Sequence, residues 1–114
     1  MVLVFGTKPF LVVRANLDPA TMDEFYRWYQ EIHLPHVMDI PGIVRAFRSD
    51  WTRGKANWTA MYEFDSEDSV QQALASSQAQ VARRDWERWL PHVSELTVEV
   101  YATLSPLPTY HHWN

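Results

Sequence analysis

The sequence predicts a single α+β domain in which strands and helices follow the order β-α-β-β-α-β. Three observations support this fold class. Four short segments alternate between apolar and other residues, two longer segments repeat apolar residues at helical spacing, and polar or Pro-containing stretches separate them. A chain of 114 residues has room for one such domain. We place it at residues 1–104, with residues 105–114 as a C-terminal tail.

The first strand and the first helix are predicted from residue types at their ends. Residues 10–16 are rich in β-branched side chains, which favour a strand. Asp18 can cap the helix that follows, with Pro19 at the first helical position, where a missing N–H does no harm. Pro35 should end or kink this helix, and it should hold Leu34 in an extended conformation.

The rest of the chain is predicted to form three more strands and a second helix. Strands are predicted at residues 43–51, 58–64 and 96–104. Residues 52–57 form a polar hairpin connection between the second strand and the third. The second helix begins at Asp65 or Ser66, with acidic residues in its first turn, and bends near Ser76 and Ser77.

This element order is the ferredoxin-like pattern, in which an antiparallel sheet carries both helices on one face. Right-handed crossovers give the strands the spatial order 4-1-3-2. Alternation then places Phe47 and Tyr62 under the helices. The open face, which the helices leave uncovered, receives Val12, Arg14, Val44, Ala46, Arg48, Met61, Glu63, Thr97, Glu99 and Tyr101.

The open face is expected to bind a second copy of the chain, because so much apolar area seldom remains in water. Its charges also suit pairing between strands. In the predicted strand order, Arg14 lies between Glu63 and Glu99, and Arg48 neighbours Glu63.

Composition excludes several classes of function. The net charge is −4 and the longest basic cluster is the pair at residues 83–84, so neither a nucleic-acid surface nor a polybasic membrane anchor is expected. No apolar stretch approaches the ~20 residues of a membrane span, and the start does not resemble a signal peptide. With no cysteine, a cytoplasmic location is expected. Phosphate-loop, serine-hydrolase and dinucleotide motifs are absent from the sequence, and we expect no cofactor.

One segment carries a family resemblance. Residues 25–50, FYRWYQEIHLPHVMDIPGIVRAFRSD, combine an aromatic-rich helix, a His-x-Pro element and a Pro-Gly turn into a strand. In these features the chain resembles the EthD-like branch of the dimeric α+β-barrel superfamily, and in architecture the resemblance covers residues 10–104. It implies a homodimer closed by two open sheet faces, with a ligand cleft between sheet and helices. The superfamily includes cofactor-free oxygenases, lactone isomerases and polyketide cyclases.

His33 is the predicted catalytic residue, a general acid or base acting on a small aromatic or lactone-like molecule. Helical spacing turns it and Ile32 inward, and Tyr62 is the expected hydroxyl partner of His33. The predicted ligand-binding residues are Trp28, Tyr29, His36, Phe47, Trp86 and Trp89. His33 and His36 lack a third metal ligand, so no metal site is predicted.

Two other interpretations remain open at this point. The cleft could bind a ligand without catalysis, or the chain could be a dimeric assembly protein in which His33 only caps the helix end. An open, partly polar cavity at His33 favours an enzyme or a binding protein. For a site at an accessible helix end, His33→Ala should change the unfolding free energy by no more than about 1 kcal/mol.

Overall fold

The computed structural model describes residues 8–49, 56–102 and 107 of the chain. Residues 52–55 of the predicted connection 52–57, the ends of two predicted strands at 50–51 and 103–104, and all of the predicted tail except residue 107 lie outside them. The strands are β1 (Phe10–Leu17), β2 (Ile43–Ser49), β3 (Trp58–Phe64) and β4 (Val93–Tyr101). The helices are α1 (Met22–Trp28), α2 (Leu34–Met38), α3 (Val70–Ala75) and α4 (Ser77–Asp85). A π turn (Tyr29–His33) joins α1 to α2, and 3-10 turns lie at Pro19–Thr21, Glu67–Ser69 and Trp86–His92.

The strands form one antiparallel sheet with the order β2-β3-β1-β4. This is the predicted order read from the opposite edge, so the ferredoxin-like topology is confirmed. The helices pack on one face and bury alternate residues of the sheet, among them Val13, Ala60 and Tyr62. None of the helices in the described parts of the chain has the length and apolar character of a membrane span.

The predicted faces of β2 were wrong. The pairing of β2 with β3 shifts between Ile43 and Arg45, so Val44 is an extra residue at a bulge. After the bulge, every side chain changes face, because side chains alternate with a period of two. Phe47 therefore lies on the open face, with its ring centre 6.2 Å from that of Phe10.

Ala46 and Arg48 move to the helix side for the same reason. Ala46 packs against the core, and the Arg48 guanidinium lies 5.0 Å from the centre of the Tyr26 ring. Both had been predicted on the open face. A bulge of one residue leaves little trace in a sequence, whereas its effect on alternation extends to the end of the strand.

The bulge also changes the charge pairs of the open face. Arg45, and not Arg48, binds Glu63, with Nε 2.8 Å and Nη2 3.0 Å from its two carboxylate oxygens. These hydrogen bonds lower the pKa of Glu63 and raise the pKa of Arg45. Arg14 binds Glu99 at 3.1 Å, as predicted, but it does not lie beside Glu63, which is paired with Phe10.

The second helical segment is interrupted where a bend was predicted. Ser76 has extended backbone angles, with φ −70° and ψ 156°, between α3 and α4. Its hydroxyl accepts a hydrogen bond from the Ala79 N–H at 3.1 Å and donates one to the Ala73 carbonyl at 2.6 Å. One side chain thus satisfies the end of one helix and the start of the next.

The first helical segment continues past Pro35, where an end or a kink had been predicted, and Leu34 is not extended. Leu34 is helical, with φ −57° and ψ −45°, and its N–H bonds to the Tyr29 carbonyl five residues earlier. Pro35 lies in the first turn of α2, where its missing N–H is tolerated. The wider π turn lets the chain pass a proline that an uninterrupted α-helix would not accommodate.

Candidate functional site

His33 lies inside the protein, at the last position of the π turn. Its side chain is 4% exposed. The predicted position at an accessible helix end was therefore wrong. The Trp28 ring stacks on it at 5.1 Å, and the Trp86 ring contacts it edge-on at 5.6 Å. Ile32, which had been predicted to face inward, is 46% exposed.

The π turn explains why His33 replaces Ile32 in the interior. Buried residues follow one another at intervals of four, at Phe25, Tyr29, His33 and Val37. In a helix with 3.6 residues per turn, such a spacing drifts around the axis. A π turn holds more residues per turn than an α turn, so it corrects the drift and keeps the four side chains in line.

Asp85, at the end of α4, holds both histidines of the HLPH element. Its Oδ2 atom lies 3.0 Å from His33 Nδ1 and 2.7 Å from His36 Nδ1. The Asp85 and His36 side chains are 12% and 38% exposed, so the cluster runs from the interior to the surface. A carboxylate only accepts hydrogen bonds, so each Nδ1 carries a proton. A neutral His33 then has Nε2 as its unprotonated nitrogen.

The surroundings of His33 favour its neutral form. Burial lowers its pKa, because a buried charge loses its hydration. The hydrogen bond to Asp85 and the charge of that carboxylate oppose the effect, whereas the nearby His36 adds to it. At neutral pH the ring is therefore a base that can accept a proton, and Asp85 would stabilise the resulting cation.

A cavity of about 190 Å³ lies between the sheet and the helices, and His33 forms part of its wall. Most of the wall is apolar, with Tyr62 and Arg83 as the other polar side chains among the described lining residues. The apolar lining comprises Leu11, Val13, Val37, Ile40, Ile43, Leu74, Ala79, Ala82, Trp86 and Val98. The site therefore combines an apolar, ring-sized space with one base.

Tyr62 forms a hydrogen bond with Tyr29, whereas the predicted partner was His33. The two hydroxyl oxygens are 2.5 Å apart. Burial is the main reason that the pKa of each is raised, so both stay protonated near neutral pH. When one hydroxyl donates to the other, the accepting hydroxyl keeps its own proton to donate. Of the two, Tyr62 lines the cavity, so the pair can offer a hydrogen bond to a ligand oxygen there when Tyr29 donates to Tyr62.

The predicted ligand-binding residues do not all lie at the cavity. Trp86 lines it, while Trp28 contacts the His33 ring from the helix side. Trp89 packs edge-on against Phe25 at 5.3 Å, inside the aromatic core. Phe47 is on the opposite face of the sheet and cannot contribute to this cavity.

Asp85 and Arg83 were missed in the sequence. Ala79 and Ala82 are buried residues of α4, and Asp85 follows them at the same interval of three. A carboxylate in line with buried residues needs a hydrogen-bond partner inside the protein. This spacing was the signal in the sequence that could have identified Asp85 as a site residue. Within residues 8–49 and 56–102, no three His, Asp or Glu side chains form a group that could hold a metal ion.

Comparisons with known proteins relate the chain to solved structures only. No family model matches the sequence, and the search of curated proteins found no match. An EthD family protein from Bacillus halodurans is similar in structure, with a TM-score of 0.66 and 19% identity over 83% of this chain and 97% of that one. The cofactor-independent oxygenase SnoaB from Streptomyces nogalater, solved as a variant, gives a TM-score of 0.57 and 17% identity over 93% and 100% of the two chains.

A third similar structure is the heme-degrader MhuD from Mycobacterium tuberculosis, described with two hemes bound in its active site. It gives a TM-score of 0.62 and 10% identity over 88% of this chain and 99% of that one. Such identities establish a shared fold and leave the reaction open. The chain therefore has a ferredoxin-like α+β fold, which it shares with the EthD family protein, the oxygenase and the heme-degrader.

Proposed function

We propose that the protein binds a small single-ring molecule in the cavity and that His33 transfers a proton on it. The observation that carries this proposal is a buried imidazole in the wall of an apolar cavity, fixed at Nδ1 by Asp85. A general base needs a defined tautomer and a pKa that leaves it neutral at the working pH. His33 meets both requirements.

In the proposed step, His33 Nε2 accepts a proton from an acidic C–H or O–H bond of the ligand. The electron pair of that bond stays on the ligand as an enolate or phenolate, and the imidazolium faces the Asp85 carboxylate. Return of the proton to a different carbon completes an isomerisation without an oxidant or a cofactor. The hydroxyl pair of Tyr29 and Tyr62 would hydrogen-bond to the oxygen that becomes negative.

The size of the cavity limits the ligand. A dry cavity of roughly 150 Å³ can hold benzene, whereas sites for drug-sized ligands usually exceed about 300 Å³. The 190 Å³ found here suits one ring with small substituents. A heme or a fused polycyclic molecule is larger, so the proposal does not extend to the ligand of the heme-degrader.

The reaction can be tested with His33→Asn, because an asparagine amide can still donate to Asp85 but is not a base. Phenol and a butenolide would be added to the full chain while its melting temperature is measured. Exchange of the butenolide's acidic C–H in D₂O would be followed by NMR. The wild type should bind and accelerate exchange, and the variant should bind without accelerating it. Equal exchange by both proteins would disprove the role of His33.

Ligand binding without catalysis is the second candidate. The mostly apolar wall favours it, since such a wall retains a ring whether or not a proton moves. In the same experiment, binding without accelerated exchange by the wild type would support this candidate. If no single-ring probe binds, the remaining interpretation is an assembly protein.

We also propose a homodimer formed through the open face. Phe47 and Tyr101 are exposed there by 45% and 37%, beside the Arg45–Glu63 and Arg14–Glu99 pairs. A second copy would cover this apolar area and leave the charges matched. Light scattering at micromolar concentration should give twice the mass of the chain.

Two substitutions test which surface forms this interface. Phe47→Glu should give a folded monomer, because a charge would be buried at the interface without a partner. Val81→Glu is the control, since Val81 is 39% exposed on α4, away from the sheet. A wild type that is monomeric, or a Phe47→Glu variant that remains dimeric, would contradict the proposal.

A further inference from the structure

We propose that Arg83 binds a carboxylate at the cavity, so that the ligand is a single-ring carboxylic acid. This inference rests on the proposed binding function and adds the charge of the ligand. Arg83 is the one formal cation among the described residues that line the cavity. A base and an arginine at one apolar space can bind two different parts of the same small molecule.

The guanidinium of Arg83 is held in place from one side. Its Nη1 donates a hydrogen bond to the Leu74 carbonyl at 3.2 Å, and Leu74 itself lines the cavity. An arginine has five N–H donors in a planar fork that matches a carboxylate. Within the described parts of the chain, Arg83 forms no ion pair. Donors of this fork are therefore available to a ligand.

The other charge near His33 is already engaged. Asp85 Oδ2 accepts hydrogen bonds from both His33 and His36, so this oxygen already has its partners within the protein. The Arg83 charge has no such partner among the described residues. A ligand carboxylate would supply one, while its ring occupies the apolar space and its acidic bond faces His33. Arg–carboxylate hydrogen bonds are among the stronger polar contacts in proteins.

Arg84 provides a matched control. Both arginines lie in the last turn of α4, both are exposed, and both interact equally well with the helix dipole. Only Arg83 lines the cavity. A role confined to the helix end predicts the same result for the two positions, whereas carboxylate binding predicts a result for Arg83 alone.

The experiment compares benzoate with benzamide, which has the same shape but no charge. Both are titrated into the wild-type chain, Arg83→Gln and Arg84→Gln by calorimetry, with circular dichroism to check folding. The wild type and Arg84→Gln should bind benzoate about tenfold or more tightly than benzamide. Arg83→Gln should lose this preference and bind benzamide as before. Raising the salt concentration should weaken benzoate binding more than benzamide binding.

Three outcomes would overturn the inference. Benzoate affinity unchanged in Arg83→Gln, or lowered equally in both variants, would remove Arg83 as the carboxylate partner while leaving the cavity as a site for neutral rings. Tighter binding of benzamide than benzoate by the wild type would show that the site rejects acids. If neither probe binds to any of the three proteins, the cavity is not a ligand site, and the proposed function fails together with the inference.

Discussion

Replacement of Asp85 by alanine tests the cluster on which the candidate site depends. The change leaves the Nδ1–H of His33 without its acceptor in a position that is 4% exposed. An unpaired buried donor is unfavourable by about 1–3 kcal/mol. His36 is 38% exposed, so water can replace its lost partner at little cost. Removing a carboxylate from the C-terminal end of α4 also removes an unfavourable interaction with the helix dipole, which raises the unfolding free energy by roughly 0.3–1 kcal/mol.

The expected net loss for Asp85→Ala is therefore about 1–2 kcal/mol of unfolding free energy. Asp85→Asn should lose less, since its amide oxygen still accepts one hydrogen bond. In both variants the pKa of His33 should fall below its wild-type value, because Asp85 raises that pKa by its hydrogen bond and its charge. Urea unfolding measures the first effect, and NMR titration of the His33 ring measures the second.

Glu87→Ala is the control, because Glu87 is exposed one residue beyond Trp86 and is not part of the cluster. It should leave both quantities unchanged. Two results together would refute the reasoning. The unfolding free energy of Asp85→Ala would lie within roughly 0.5 kcal/mol of the wild-type value, the range of an ordinary surface change, and the pKa of His33 would be unchanged. In that case the hydrogen bond at 3.0 Å would contribute neither stability nor orientation.

Three further predictions concern stability. Burial lowers the pKa of His33, so below about pH 6.5 the unfolded chain binds more protons than the folded chain does. The unfolding free energy should therefore fall as the pH decreases from about 6.5, and the fall should be smaller in His33→Asn. Gly42→Ala should destabilise by more than about 1 kcal/mol, because Gly42 has φ +98° and a Cβ there would lie 2.9 Å from that of Ser69; an unchanged urea midpoint would contradict this. Ser76→Ala should destabilise by about 0.5–2 kcal/mol through loss of the cap, and Ser77→Ala, its exposed neighbour, should not; equal values would disprove the capping role.

Among the sequence predictions, the strand order succeeded because it depends on element order and crossover handedness alone. Alternation also placed β1 and β3 correctly, since neither strand carries an extra residue of its own within its predicted range. The same rule failed in β2, where the extra residue at Val44 moved Phe47 to the other face. Periodicity identifies a strand, and it assigns faces only where the strand is regular.

The candidate site was harder to predict for two physical reasons. Pro35 was interpreted as a helix stop, whereas the π turn carries the helix past it and buries His33. The expectation for His33→Ala assumed an accessible position, and His33 is buried. We now expect the loss of the stacked ring and of one Asp85 partner to lower the unfolding free energy by about 2–3 kcal/mol. The contact with Asp85 joins residues 52 positions apart, and no local pattern encodes it.

The π turn also has a consequence for changes in chain length. Deleting one residue from Tyr29–His33 would let α1 and α2 merge into a continuous α-helix that turns about 100° per residue. Phe25 and Val37, both buried now, would then be eleven residues apart, about 20° around the helix axis, and could still face the same side, but the wider turn that carries the chain past Pro35 would be lost. The ring of Pro35 would also meet a carbonyl of the preceding turn. Substitutions at the exposed positions of this segment should be tolerated, whereas deletion of a single residue should not, because Pro35 would then lie inside a continuous α-helix.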